Sequence, residues 1–401
     1  MSDNVIIIGA GFSFDAAIPL LSNFVEKMWE YAIRGKARGK DISMPDMEIL
    51  KEALKVRSEL DGYHGRAVFD DRNIEDILSI LTFNVLGGGE GEKERFSAFV
   101  KAISTTIELS CEVEHAGLND ERTYSVNKSG NDVYRNFWLA LFAIFRQTQS
   151  LPTIISLNYD LVLERSLHQV LIGTLLNQHT NPPPFSRFKV NYHFEYALSE
   201  GIDIVPATFR SNSPTGVSGT ILVESNRTAQ IEPVIKPTPI NILKLHGSLN
   251  FPANELDATS VPFSLVKPRN NPYILPPVSN KSSTGVGEEI WKAALNVLRS
   301  AKNVVFVGYS LPKTDMYMQF FLKAAFGPNQ DLNRITVFDP LLWQESKENI
   351  DMRARFSDCF APQLQRRINF QPDNGIKEGI QKGSTESFVY MLTHFKEEML
   401  F

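Results

Sequence analysis

Five short apolar runs punctuate the chain, and each stops at a turn rich in polar or glycine residues. The first, Val5-Ile6-Ile7-Ile8, leads into Gly9-Ala10-Gly11-Phe12-Ser13. The second, Pro152-Thr153-Ile154-Ile155-Ser156-Leu157, ends in Asn158-Tyr159-Asp160, and the third, Ile242-Leu243-Lys244-Leu245, in His246-Gly247-Ser248. The fourth, Val304-Val305-Phe306-Val307, ends in Gly308-Tyr309-Ser310-Leu311, and the fifth, Ile335-Thr336-Val337-Phe338, at Asp339-Pro340. Apolar runs of four or more residues predict strands buried on both faces, the pattern of a parallel sheet covered by helices.

Elsewhere the spacing changes to three and four. Met47, Leu50 and Leu54, then Ile74, Ile77, Leu78 and Leu81, then Phe96, Phe99, Val100 and Ile103 mark amphipathic helices, and no proline occurs between Asp46 and Leu151. These helices form an insertion between the first and second strands, broken at Gly87-Gly88-Gly89 and with a polar loop from Asn119 to Asp132. Phe14 to Tyr31 reads as largely helical, with a break near Pro19 and Ser22. Helical patterns also follow the second strand (Leu161, Leu163, Leu167, Val170), precede the fourth (Ile290, Trp291, Ala294, Leu295, Leu298) and join the fourth to the fifth (Met316 to Phe326). Fourteen of the 22 prolines lie between Pro182 and Pro277, which predicts short strands and turns there. The C-terminal stripe Phe388, Met391, Leu392, Phe395 and Met399 suits core packing or a subunit contact. The predicted architecture is α/β: a Rossmann-like parallel sheet from residues 1–30 and 151–345, a helical insertion over 31–150, and a C-terminal helical extension over 346–401.

Composition narrows the function classes. A net charge of -5 gives no general pull toward nucleic acid, so direct nucleic-acid binding is not expected. The basic run Arg34, Lys36, Arg38 and Lys40, interleaved with Gly35 and Gly39, reads as a solvated loop. Cys111 and Cys359 are the only cysteines, too few for a four-cysteine zinc site or a disulfide framework. No zinc is expected. The histidines at 64, 115, 168, 179, 193 and 394 form no ligand-spaced pair, so no metal site is expected either. With no secretory pattern and no membrane-length apolar run, the expected location is cytoplasmic, without membrane association.

In an open parallel sheet, ligands bind beyond the carboxyl ends of the strands, where these five turns gather. The glycines of Gly9-Ala10-Gly11 allow close backbone approach to a phosphate, and a helix starting after Ser13 would aim its N–H groups at the anion. Taken alone, the stretch also suits a plain strand-to-helix turn, since Phe14 stands where a third glycine would be. Asn158 and Asp160 equally suit a helix cap, and His246 a satisfied buried histidine.

The ordered set Gly9-Ala10-Gly11-Phe12-Ser13 with Ala16-Ala17-Ile18-Pro19, then Asn158 and Asp160, then His246-Gly247-Ser248, then Gly308, Ser310 and Leu311 resembles the motif series of the sirtuin fold. Leu157-Asn158-Tyr159-Asp160, Gly308-Tyr309-Ser310-Leu311-Pro312 with Asp315, and Asn73-Ile74-Glu75-Asp76 are similar to the sirtuin-like NADases of bacterial antiphage defence. Protein deacylases of this fold carry a four-cysteine zinc and an acidic-aromatic-basic triplet, where this chain has two cysteines and Leu20-Leu21-Ser22. The resemblance implies an NAD+ hydrolase that cleaves the nicotinamide–ribose bond and depletes NAD during phage infection. It implies work as a homo-oligomer or with a defence partner such as a HerA-type ATPase, the insertion and C-terminal stripe being the expected oligomer surfaces. In that reading Asn158 orients ribose hydroxyls and water, Asp160 stabilises positive charge or fixes its neighbours, and His246 is the general base. Gly9, Ala10, Gly11 and Ser13 cradle the pyrophosphate with Gly308 and Ser310, and Asp339 accepts from the adenosine ribose. An ADP-ribosyl transferase or cyclase, and a non-catalytic NAD or ADP-ribose sensor that drives assembly, are the alternatives.

Overall fold

A computed structural model describes residues 3–62, 66, 69–113, 132–176, 188–193, 202–210, 218–225, 238–253, 263–275, 286–313, 315–343, 345–371 and 384–394. His64, His115, His179, Phe395, Met399 and nearly all of the Asn119 to Asp132 loop lie outside them. The strands are β1 (Asn4–Ile8), β2 (Lys36–Ala37), β3 (Lys40–Asp41), β4 (Thr153–Ser156), β5 (Phe188–Asn191), β6 (Ile202–Arg210), β7 (Ser218–Ser225), β8 (Thr238–Lys244), β9 (Gly247–Pro252), β10 (Pro272–Ile274), β11 (Asn303–Val307), β12 (Arg334–Phe338) and β13 (Ile368–Gln371).

One nine-stranded sheet runs in the order β13-β12-β11-β1-β4-β8-β5-β6-β7. Neighbours from β13 through β5 are parallel, and β6 and β7 join antiparallel at the far edge. The fold is the expected Rossmann-like α/β arrangement. The register shows why β1 is so apolar: Ile7 lies between Phe306 on β11 and Ile155 on β4. Val5 to Ile8 are therefore completely buried. From β1 the chain passes to β4 and β8 on one side, then returns to β11, β12 and β13 on the other. Connections leave β1 and β11 in opposite directions, so the crevice beyond their carboxyl ends is the topological switch point.

Between β1 and β4 lie α1 (Phe24–Arg34), α2 (Met44–Asp61), α3 (Ile74–Leu86), α4 (Glu92–Ser110) and α5 (Asp132–Thr148). Helices α1 to α4 pack on one another, whereas α5 packs on α6 (Val162–Leu176) and on the C-terminal helix Ser384–His394. Strand β13, within the stretch 346–401 expected to be helical, adds to the sheet beside β12. The described part of the C-terminal stripe is interior: Phe388 is fully buried, with its ring 5.4 Å from Phe338 and 5.9 Å from Phe137. The basic run forms the β2–β3 hairpin, where Lys36 faces Asp41 at 3.8 Å and Arg34 reaches Glu30 at 2.6 Å.

One local prediction differs from the structure. The sequence pattern suggests a helix from Phe14, but the chain makes separate 3-10 turns at Ala10–Phe12, Phe14–Ala16 and Leu21–Asn23 before α1 begins at Phe24. Ala17 adopts a left-handed conformation at φ 61°, which ends any helix there, and Pro19 follows with no N–H to offer. The α-helix expected to start after Ser13 is therefore replaced by 3-10 turns.

A fully buried ion pair stands beneath the second turn. Lys244 on β8 and Glu164 on α6 meet at 3.1 Å, 1% and 0% exposed. The Lys244 ammonium also donates to the Asp160 carbonyl, and the Tyr192 hydroxyl donates to Glu164 at 3.2 Å. Burial holds the Glu164 carboxyl above its usual range against the pull of Lys244. Lys244→Met strands Glu164 without a counter-charge and should cost about 3–5 kcal/mol in urea unfolding. The double variant Lys244→Met/Glu164→Leu should recover part of that loss. A double variant no more stable than the single would show that the pair is not the source.

Candidate functional site

The turns after β1 and β11 meet backbone to backbone. Gly9 N–H donates to Val307 O at 3.1 Å, Gly11 N–H to Gly308 O at 2.9 Å, and Gly308 N–H to Phe338 O at 2.9 Å. A Cβ on Gly9 would stand 2.7 Å from Gly308 O, and one on Gly11 would stand 2.8 Å from Gly308 Cα. Gly308 has φ +65°, and a Cβ there would lie 2.3 Å from Phe12 N. These glycines are required by the contact between the two turns, whatever ligand lies above them.

The same bonding limits the cradle expected for a pyrophosphate. Phe12 N–H donates to Gly9 O at 2.9 Å and Ser13 N–H to Ala10 O at 3.1 Å, so four of the five N–H groups from Gly9 to Ser13 are engaged within the protein. Ala10, which is exposed, is the residue whose N–H makes no such bond among the described residues. Phe12 anchors the turn from below. Its ring is 1% exposed and lies 5.4 Å from Tyr134 and 5.2 Å from Phe137, while its carbonyl accepts from Tyr134 Oη and Thr385 Oγ1, each at 2.9 Å.

Asn158 joins the second turn to the first. Its Nδ2 donates to Gly9 O at 2.9 Å and to Ser13 Oγ at 3.0 Å. Gly9 O can only accept, which fixes the amide orientation and leaves Oδ1 as the atom with which Asn158 can accept from a ligand. Ser13, only 1% exposed, uses its hydroxyl on this clamp. Asp160 is buried, and its Oδ1 accepts from Val162 N at 3.0 Å, the geometry of a cap on α6.

The third turn lies on the same side. Leu245 N–H donates to Ser156 O and Leu249 N–H to Tyr159 O, both at 2.9 Å, and the buried His246 ring lies 6.3 Å from Tyr159. The sequence missed one feature here: Gly247 does not merely end a strand but starts β9, which pairs with β10. A Cβ on Gly247 would meet Tyr273 O at 2.1 Å, so this glycine is also fixed by packing.

Ser310 and Asp339 occupy the other flank. Arg355 donates to Ser310 O at 3.0 Å and Leu311 O at 2.7 Å. Asp339 ends β12, and its Oδ1 accepts from Leu341 N at 3.0 Å. The tyrosines of the second and fourth turns are bonded within the protein: Tyr159 donates to Leu275 O at 3.2 Å, and Tyr309 to Asp315 Oδ2 at 2.8 Å. Burial holds both phenols above their usual range, and the charges of Glu75 and Asp315 add to it. The sequence reading names Glu75 only within Asn73-Ile74-Glu75-Asp76 and gives it no role of its own.

Among the described residues no group of three or more metal-ligating side chains is arranged to hold an ion, and no helix is long and apolar enough to cross a membrane. Burial pushes the Cys111 thiol up to about 12, unsuited to nucleophilic work near neutral pH. Comparison with protein families finds no family model that matches the chain, and comparison with curated proteins finds no match.

Gly308→Ala should lower stability by about 2–5 kcal/mol, from left-handed strain plus overpacking against the first turn; an unchanged urea midpoint would contradict the interlock. Asp339 gives a pH test. Burial raises its carboxyl to about 6, against lowering by the Leu341 N–H and the Arg355 charge. The folded state therefore binds more protons than the unfolded one between the usual carboxylate range and about pH 6. Stability contributed by this group falls as pH rises through that window, by about 2–3 kcal/mol, and levels off above it. Asp339→Asn keeps the acceptor for Leu341 and should be more stable than the parent above pH 6, with that slope removed.

Proposed function

We propose that the chain is an NAD+ hydrolase, with the switch-point crevice as its active site. The observation that carries this reading is the linking of three separate strand ends: Asn158 grips the Gly9–Ser13 turn, and the His246 ring lies 6.3 Å from that of the adjacent Tyr159. The reaction breaks the bond between ribose C1′ and the nicotinamide nitrogen, and the electron pair leaves with neutral nicotinamide. Water forms the new bond to C1′ and gives its proton to His246. Asn158 Oδ1 accepts from a ribose hydroxyl or from that water, which holds the reactants together rather than supplying acid. The products are nicotinamide, ADP-ribose and a proton. Asp339, with its carboxyl raised toward neutrality, suits hydrogen bonding to the adenosine ribose.

The likeness of the motifs to sirtuin-like NADases supports the same reaction and suggests NAD depletion in antiphage defence, with assembly or a partner as the restraint on activity. A second reading, a nucleotide sensor without turnover, draws support from the engaged N–H groups of the first turn and from the capping geometry of Asp160.

Nicotinamide release from NAD+ by the purified chain, alone and with candidate partners, separates these readings. We expect release by the parent and its loss in His246→Ala with the fold retained by circular dichroism. Asn158→Ala should also lose turnover, but with about 1–3 kcal/mol of stability, because it opens the clamp on Gly9 and Ser13. Binding of NAD+ without release in any assembly state would favour the sensor, and modified protein or cyclic product would favour transfer or cyclisation.

A further inference from the structure

The fourth turn carries two left-handed residues within four. Gly308 stands at φ +65° and Leu311 at φ +50°. Glycine adopts that conformation freely, but a residue with a Cβ is strained in it, and Leu311 is completely buried. Such a conformation persists only where its surroundings over-determine it.

Arg355 supplies that constraint. Its Nε donates to Leu311 O at 2.7 Å and its Nη2 to Ser310 O at 3.0 Å. These carbonyls belong to the two peptide planes that flank the Leu311 Cα, and φ and ψ measure the orientation of those planes. One planar, charged fork on a half-buried side chain therefore pins both dihedrals of the strained residue. The helix that carries it, Lys347–Asp358, is itself fixed to the sheet. Ser346 Oγ caps it by accepting from Asn349 N at 3.2 Å, and the buried Phe356 ring lies 5.1 Å from Phe306 on β11 and 6.2 Å from Phe370 on β13. Elsewhere in the turn, Gly308 is held by the interlock and the Tyr309 side chain by Asp315. Ser310 is what remains: it is half-buried, and neither its N–H nor its hydroxyl is bonded among the described residues.

We propose that Arg355 is a positioning residue of the nucleotide site: it holds Leu311 left-handed, so that the Ser310 N–H and hydroxyl are set as donors to the adenosine half of the dinucleotide. This rests on the NAD reading above. Ser310 follows β11, on the side of β1 away from the strands that carry Asn158 and His246. Its donors therefore act on binding and not on the bond that breaks, and Arg355, which reaches the ligand only through them, does the same.

The test measures nicotinamide release by the full chain, in the assembly state that turns over, with ADP-ribose as competing product. Arg355→Ala should raise the KM for NAD+ and the inhibition constant of ADP-ribose together, each about tenfold, with kcat within about twofold of the parent. Arg355→Lys keeps the charge without the fork and should fall between, at about threefold. Arg353→Ala is the control: that guanidinium lies 4.6 Å from the Phe370 ring centroid and bonds Asn349 Oδ1 at 2.7 Å, so its loss should lower the melting temperature and leave KM as it was. Parental constants in Arg355→Ala, with or without a lower melting temperature, overturn the role of Arg355 and leave the hydrolase reading standing, as does a fall in kcat alone. Should Arg355→Ala fail to fold, Arg355→Lys carries the comparison, and parental constants in it overturn the role. If no assembly state releases nicotinamide, the hydrolase reading falls, and calorimetric titration with ADP-ribose decides the role of Arg355. Binding about tenfold weaker in Arg355→Ala then sustains it, whereas equal binding, or none by the parent, overturns it.

Discussion

The carboxyl edge of the sheet is organised by a contact in which two turns touch with no side chain between them. Gly308, held at φ +65°, brings its backbone against Gly11 and Phe12, and the N–H of Gly11 closes the contact on Gly308 O. Only glycine permits that approach. Because β1 and β11 are neighbours whose connections leave in opposite directions, the interlock also sets the floor of the switch-point crevice. Phe12 locks it from below through the Tyr134, Phe137 and Phe388 aromatic cluster. Asn158 locks it from the side.

A second layer of constraint lies under the Asn158 turn. Lys244 holds the Asp160 carbonyl and the Glu164 carboxylate in a site closed to water, so the loop carrying Asn158 is braced by a charge pair on the neighbouring strand and helix. Strand, turn and helix around β4 are therefore coupled to β8. The two sides of the crevice are held differently: the β11 flank by steric fit, the β4 and β8 flank by buried polar bonds.

This difference explains what the sequence reveals. β1, β4, β8, β11 and β12 are legible because a central parallel strand must be apolar on both faces, and the helix Met316–Phe326 is legible from its periodicity. β5, β6 and β7 fall where proline and turn residues are dense, and β13 is a short edge strand with half-exposed residues, so neither carries the continuous apolar signature. The site is legible in its residues but not in their use. Gly9 and Gly11 look like a phosphate cradle, and nothing in their spacing tells a cradle from a turn packed against another turn. Asp160 looks equally like a charge stabiliser and a cap, and the bond to Val162 N–H shows only after folding.

The engaged turn also constrains how any dinucleotide could be held. An anion above Gly9–Ser13 finds, among the described residues, one backbone N–H outside the internal network, at Ala10, and the turn leads into 3-10 turns rather than an α-helix. Under the NAD reading, the pyrophosphate is then a weak anchor, and affinity must come from the two ribose ends. The β12 flank pairs Asp339, whose carboxyl is raised to about 6, with the nearby Arg355 guanidinium. The β4 and β8 flank offers the Asn158 amide and the buried His246 ring instead, so the two flanks would hold a ligand by different chemistry.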